Sequence, residues 1–149
     1  MKLQSSQAKC PCCSGKPYAN CCQKYHKGVV PENALALMRS RYAAYALGIA
    51  NYLVDTTHPQ SPHFVVDQKQ WLHQIVAFSK HVSFDGLEIL EFQPMEQESY
   101  VSFIAHLSQE GVDLTFSERS RFTKVGHVWK YLDGKIAKGR LNAEALRKL

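Results

Sequence analysis

The chain has no cysteine after Cys22 and no acidic residue before Glu32. The first absence excludes a cysteine nucleophile from most of the sequence. The second leaves the amino-terminal fifth with charge of one sign only. No apolar run approaches the roughly 18 residues that a membrane helix needs. The first nine residues, MKLQSSQAK, are polar, so no secretory signal is expected and the expected location is cytoplasmic. There is no glycine-rich phosphate loop and no dinucleotide fingerprint, so no nucleotide cofactor is expected. Internal repeats and low-complexity segments are also missing. What remains is a globular composition, 149 residues with 45% hydrophobic and 21% charged, the size of one domain with a small appendage.

Charge and cysteine are both concentrated at one end. Residues 1–31 carry five lysines (Lys2, Lys9, Lys16, Lys24 and Lys27), whereas in residues 32–149 the 13 basic and 13 acidic side chains cancel. The whole formal charge of +5 therefore sits beside all five cysteines. This division predicts a cysteine- and lysine-rich module over 1–30 and a body with an ordinary core over 31–149.

The module reads Cys10-Pro11-Cys12-Cys13-Ser14-Gly15-Lys16-Pro17-Tyr18-Ala19-Asn20-Cys21-Cys22, a C-x-C-x8-C-C skeleton. Two close pairs of sulfurs, each forming one edge of a tetrahedron, suit a thiolate-bound metal. Pro11 stiffens the first edge, and Ser14-Gly15 allows reversal between the edges. Nearby lysines favour thiolate over thiol. A segment this short builds no core of its own, so metal would supply its folding energy. Disulfides, a redox pair at Cys10 and Cys13, and clustered free thiols are the other readings. The odd count and expected compartment oppose the first, and the second lacks a strand–helix context.

CPC-x-SGK-x-Y-x-x-CC resembles the SEC-C motif, the small zinc-binding element also found at the end of the SecA export motor. The resemblance places the ligands at Cys10, Cys12, Cys21 and Cys22. It implies zinc, with iron also accepted by four thiolates. Cys13 stands where that motif usually has glycine, and would replace Cys12, stay free or face solvent. His26, four residues after Cys22, is a weaker substitute ligand or simply a surface residue.

From Pro31 onward the period is helical. Leu35, Met38, Tyr42, Tyr45, Ile49 and Tyr52 form one apolar stripe, with a bend or break at Gly48 and an end at Thr56-Thr57-His58-Pro59. A second helix is predicted over about Asp67–Lys80, with Trp71, Leu72, Ile75, Val76 and Phe78 on its buried side. Residues 87–91 and 100–107 then alternate as strands, followed by an extended run over 112–124 and a strand over 127–133 closed by Asp133-Gly134. A short basic tail follows, with a helical turn near 143–149. Helices followed by hairpin-linked strands predict an α+β fold.

Met38-Arg39-Ser40-Arg41-Tyr42, His58-Pro59, Val101-Ser102-Phe103, Glu118-Arg119-Ser120-Arg121-Phe122 and Trp129-x-Tyr131-x-Asp133-Gly134 together resemble the bacterial YchJ-like family, in which a SEC-C motif precedes an NTF2-like domain. The resemblance implies an NTF2-like cone, with amino-terminal helices packed on a curved antiparallel sheet. Some relatives carry a second SEC-C motif at the carboxyl end, which this chain lacks. The resemblance brings no activity with it.

A pocket between helices and sheet would draw its polar groups from Arg39, Arg41, His58, Glu118, Arg119, Arg121, Tyr131 and Asp133. Arg119 and Arg121 share a strand face and would hold a phosphate or carboxylate, or form an ion-pair lattice with Glu118 and Asp133. No catalytic residue is assigned. His58, Asp133 and Arg119 are the candidates, His58 as the general base of an isomerase- or dehydratase-type proton transfer, or simply as a turn residue. Trp71, Trp129 and Phe103 are expected in the core, and His63, His73, His81, His106 and His127 have no metal spacing.

The leading functional expectation is an interaction protein. A basic zinc knuckle would present Lys9, Lys16, Lys24, Lys27 and an exposed Tyr18 ring to an acidic protein surface or to RNA, including ribosomal RNA. Lys16, Tyr18 and Lys24 are the partner-binding candidates. The alternatives are the pocket enzyme and a purely structural zinc clip. A membrane partner is not expected, and an exposed sheet edge would permit a homodimer.

Overall fold

The computed structural model describes residues 7–149. The leading hexapeptide, including Lys2 and most of the stretch read for a signal, lies outside them. Helices α1 (Gln23–His26), α2 (Ala34–Leu47), α3 (Ala50–Asp55) and α4 (Gln68–His81) precede strands β1 (Ser83–Gln93), β2 (Glu98–Gln109), β3 (Val112–Asp113), β4 (Phe116–Val125) and β5 (Val128–Lys138); α5 (Ala143–Arg147) closes the chain. Among the described residues no helix is long and apolar enough to cross a membrane.

Helix α2 starts where the Asn33 side chain accepts from Ala36 N, and ends at Gly48 in the left-handed conformation, φ 74°. It has three buried faces rather than the single stripe read from Leu35 to Tyr52. Leu37, Met38 and Tyr42 enter the main core against the sheet. Ala43 and Leu47 meet the cysteine segment, and Ala44 meets α3 and α4. Alanines on the latter faces permit this close surrounding. Helix α4 is capped by Asp67, whose side chain accepts from Gln70 N. Its buried ridge is Trp71, Ile75 and Ser79, a four-residue step. Val76 and Phe78, expected inside, are instead exposed.

The sheet is antiparallel in the order β1-β2-β4-β5, with the short β3 paired to β2. It does not form the cone implied by the family resemblance. β1 and β5 are edges that do not pair with each other, so the sheet is open. Four long strands are too few to close around packed side chains, which takes about eight. The expected run over 112–124 is divided between β3 and β4 at Leu114-Thr115. β5 does not stop at Asp133-Gly134 but continues to Lys138.

Two details of the β4–β5 ladder place the polar groups. Arg121 pairs with Asp133 and Phe122 with Tyr131, so Leu132 is an extra residue in β5. This bulge puts Tyr131 and Asp133 on opposite faces, although simple alternation places them together. Gly134 lies beside the Glu118 carboxylate, which a Cβ there would strike. The helix-facing side of the sheet buries Leu87, Val101, Phe103, Ala105, Leu107 and Phe122. Leu146 of α5 is buried, and α5 packs against β2, β4 and β5.

The outer edge of β5 is partly covered. Tyr131 N donates to Thr56 O at 2.9 Å and His58 N donates to Tyr131 O at 2.8 Å, forming a parallel bridge between Thr57 and Tyr131. The segment after α3 thus occupies this part of the edge with its backbone.

Candidate metal centre

The cysteine segment is a hairpin followed by a helical turn. Lys9 and Pro17 form an antiparallel bridge, with Cys10 N donating to Lys16 O and Tyr18 N to Ala8 O, both at 2.8 Å. The reversal uses two left-handed residues, Cys13 (φ 66°) and Gly15 (φ 86°). A 3₁₀ turn at Tyr18–Asn20 then brings Cys21 and Cys22 back to the hairpin, and Cys22 caps α1.

This path gathers the Sγ atoms of Cys10, Cys12, Cys21 and Cys22 within 4.8 Å of one another. Cys12 Sγ lies 3.5 Å from Cys21 Sγ, and Cys21 Sγ lies 3.9 Å from Cys22 Sγ. Tetrahedral thiolates bound to zinc at about 2.3 Å stand about 3.8 Å apart, so this donor set fits such an ion. No disulfide joins any of the five cysteines. Cys10, Cys12 and Cys22 are buried, Cys12 completely, while Cys21 is half-buried. Contacts from Cys10 and Cys22 hold the Cys12 thiol far below its usual range. The contact with Cys12, aided by burial, pushes Cys10 up to about 12. Contacts with Cys10 and Cys12 also push Cys22 upward. Four thiolates this close require a cation.

The cluster sits on α2 against Ala43 and Leu47. Arg39 Nη1 donates to Cys12 O at 2.8 Å. His26 is not aimed at the sulfurs. Its Nε2 lies 2.8 Å from Ser40 O and its Nδ1 lies 2.6 Å from Tyr18 Oη. Those partners imply a proton on Nε2, with the tyrosine donating to Nδ1. Burial lowers the His26 pKa, favouring this neutral ring. Cys13 is exposed; its Sγ accepts from Leu87 N at 3.3 Å and thereby touches β1.

The exposed Tyr18 ring expected from the sequence is corrected. Tyr18 is only 6% exposed, packed with the cysteines, and burial pushes its phenol up to about 12. Lys9, Lys16, Lys24 and Lys27 are exposed. Lys24 Nζ lies 5.0 Å from the Tyr25 ring centroid.

Of the eight polar candidates of the body, Arg41, Glu118 and Tyr131 converge on one cavity and the other five do not. Arg39 serves the hairpin. Arg41 is buried, donating from Nη1 to Leu53 O, Thr56 Oγ1 and Thr57 Oγ1, with its guanidinium 4.8 Å from the Tyr131 ring centroid. Glu118 accepts from Ser120 Oγ at 2.5 Å and Tyr131 Oη at 2.9 Å, and burial raises its pKa. On the opposite face, Arg121 makes a two-pronged ion pair with Asp133 at 2.9 and 2.6 Å. Arg119 lies 3.9 Å from the Tyr100 ring centroid and donates to Gln93 Oε1. The expected lattice is therefore split by the sheet: Asp133 neutralises Arg121, while Glu118 faces Arg41.

His58 bonds to neither proposed carboxylate. Its Nδ1 accepts from Gln60 N at 3.0 Å, and its backbone holds the β5 edge. The interior cavity is instead lined by Arg41, Glu118, Ser120, Tyr131 and, at its mouth, His63, a residue given no chemistry by sequence spacing. The covered edge and the bulge that sort these groups have no local sequence signal.

The family described as YchJ, middle NTF2-like domain, matches residues 33–134. A UPF0225 protein of Vibrio vulnificus (strain YJ016) is 38% identical over 133 residues, covering 85% of this chain and 74% of the relative. A SEC-C motif containing protein from Rhodopseudomonas palustris has a similar solved structure, with TM-score 0.72 at 31% identity over 86% of this chain and 98% of that one. Another from Psychrobacter arcticus gives TM-score 0.73 at 25% identity, over 91% and 86% respectively. With an NTF2-like domain behind a SEC-C-like cysteine cluster, the chain belongs to the YchJ-like (UPF0225) family.

Proposed function

We propose that the protein is a zinc-dependent interaction module in which the metal shapes a basic knuckle for an acidic protein surface. The observation that carries this reading is the four-sulfur cluster beside four exposed lysines, with no acidic side chain between residues 7 and 31. Zinc is the proposed ion because four clustered thiolates are the usual ligand set of structural zinc sites. Cys10, Cys12, Cys21 and Cys22 are the proposed ligands. Lys16 and Lys24 remain the proposed contacts, and Tyr18 is removed from that set by its burial. Four thiolates persist as metal ligands where thiols are kept reduced, which supports a cytoplasmic location.

The buried rings of Tyr18 and Tyr25 favour protein over RNA, since single-stranded RNA recognition relies on exposed rings for base stacking. Binding of the metal-loaded chain to polyglutamate and to polyuridylate at rising salt tests the reading. Salt-sensitive capture by polyglutamate, lost in Lys16→Glu/Lys24→Glu with zinc content unchanged, is expected. Preference for polyuridylate, or no capture by either polymer, overturns it.

A purely structural clip is the second reading, favoured by the Arg39 contact and by the seating of the cluster on α2. It predicts the same metal content but no dependence of partner capture on Lys16 or Lys24.

A further inference from the structure

Between α2, α4 and the sheet lies a cavity of about 380 Å³ with an apolar body and a polar inner end. Phe103, Ala105 and Leu107 of β2 form one wall, and Trp71 and Ile75 of α4 face it. Phe78 and Ile136 are exposed at the mouth. Glu118, 5% exposed, lines the same space with Arg41, Ser120 and Tyr131. This volume is in the range that holds small molecules, and a few polar groups in an apolar wall fix a ligand's orientation.

The carboxylate is half used. Both hydrogen bonds that reach Glu118 land on Oε2, from Ser120 and Tyr131. Oε1 receives none from the described residues. It is not one of the side-chain atoms sealed from solvent without a partner, so it opens on the cavity, where a bound group can donate to it or accept from it. Arg41 does not compete for it, because its hydrogen bonds go to Leu53, Thr56 and Thr57.

Charge decides the kind of head group. Arg41 and Glu118 already oppose one another in the interior, so an added ammonium or carboxylate would leave an uncompensated buried charge. A head that both donates and accepts meets Oε1 whether or not that oxygen carries a proton. We propose that this cavity binds a small neutral amphiphile, an apolar body bearing a hydroxyl or primary amide that hydrogen-bonds to Glu118 Oε1.

The test titrates the full metal-loaded chain with octanol, octanamide, octylamine and octanoate at neutral pH, following side-chain and amide signals by NMR. Octanol and octanamide are expected to saturate with Kd of about 1 mM or tighter, perturbing Phe103, Ala105 and Leu107. Octylamine and octanoate are expected to bind at least about tenfold more weakly, the scale of about 1.4 kcal/mol. Glu118→Leu is expected to weaken octanamide by a similar factor. The comparison of four heads on the unaltered protein stands even if that variant fails to fold. Equal binding of all four, no saturation by octanol and octanamide, or shifts centred away from the cavity overturns the proposal.

Discussion

Arg39 on α2 donates to the backbone carbonyl of Cys12 across 2.8 Å, tying the long helix to a fully buried cysteine of the cluster. Two residues later on the same helix, Arg41 turns into the interior and bonds the end of α3. The Met38-Arg39-Ser40-Arg41-Tyr42 segment therefore joins the cysteine hairpin to the body on one side and organises the polar interior on the other. Ser40 takes part in both, through its carbonyl contact with His26 and its hydroxyl contact with Tyr52.

Replacing Arg39 by methionine keeps the apolar stem and removes the contact with Cys12. Stability to urea is expected to fall by about 1.5–3 kcal/mol, the scale of a hydrogen bond from a charged donor. Metal content by elemental analysis is expected to remain one ion per chain, because no sulfur is altered.

Removing the metal with a strong chelator is expected to unfold the hairpin before the sheet. Hydrogen exchange is the measurement: the Cys10, Tyr18 and Cys21 amides lose protection, whereas amides of β2 and β4 retain most of theirs. Cys12→Ser is expected to act in the same direction, with metal content well below one ion per chain.

Cys13 holds a left-handed conformation with its side chain outside the four-sulfur cluster. Cys13→Gly is expected to keep full metal content and to stay within about 1 kcal/mol of the parent, relief of backbone strain offsetting the lost contact with Leu87 N. Cys13→Val, with a branched side chain at positive φ, is expected to destabilise by more. Metal analysis and urea unfolding of the pair separate a backbone role from ligation.

The raised Glu118 pKa sets a direction for pH dependence. The folded state binds this proton more tightly than the unfolded chain does. Its contribution to stability is therefore fully present below the unfolded pKa, near 4.5, and is lost as pH rises through the higher folded value. Stability of the parent relative to Glu118→Gln is expected to decline across that window and then level off. Paired urea titrations from pH 4.5 upward check it, and taking the difference between the proteins cancels the acid sensitivity of the metal site.

Much of the local structure was written in short-range chemistry. Asp67 announces a helix start, Gly48 a stop, and the spacing of Cys10, Cys12, Cys21 and Cys22 two sulfur pairs, whereas the start of α2 lies at Asn33 rather than at Pro31. Burial directions were less legible. Val76 and Phe78 read as buried although α4 uses the Trp71–Ile75–Ser79 ridge, because only the position of a neighbouring element decides which side of a helix is inside. Tyr18 read as a free aromatic because its partners, His26 and the cysteine cluster, come together only when the hairpin closes.

The sequence by itself determined the helix-then-strand order, the concentration of positive charge at one end and the supply of four thiols with metal spacing, since each depends on residues close together in the chain. Tertiary structure decided that the sheet stays open, that Tyr131 and Asp133 face opposite ways, and that His58 serves a strand edge while Glu118 lines a cavity. These outcomes follow from strand pairing and a single extra residue in one ladder. The energy of such pairing belongs to partners far apart in sequence, so no local pattern encodes it.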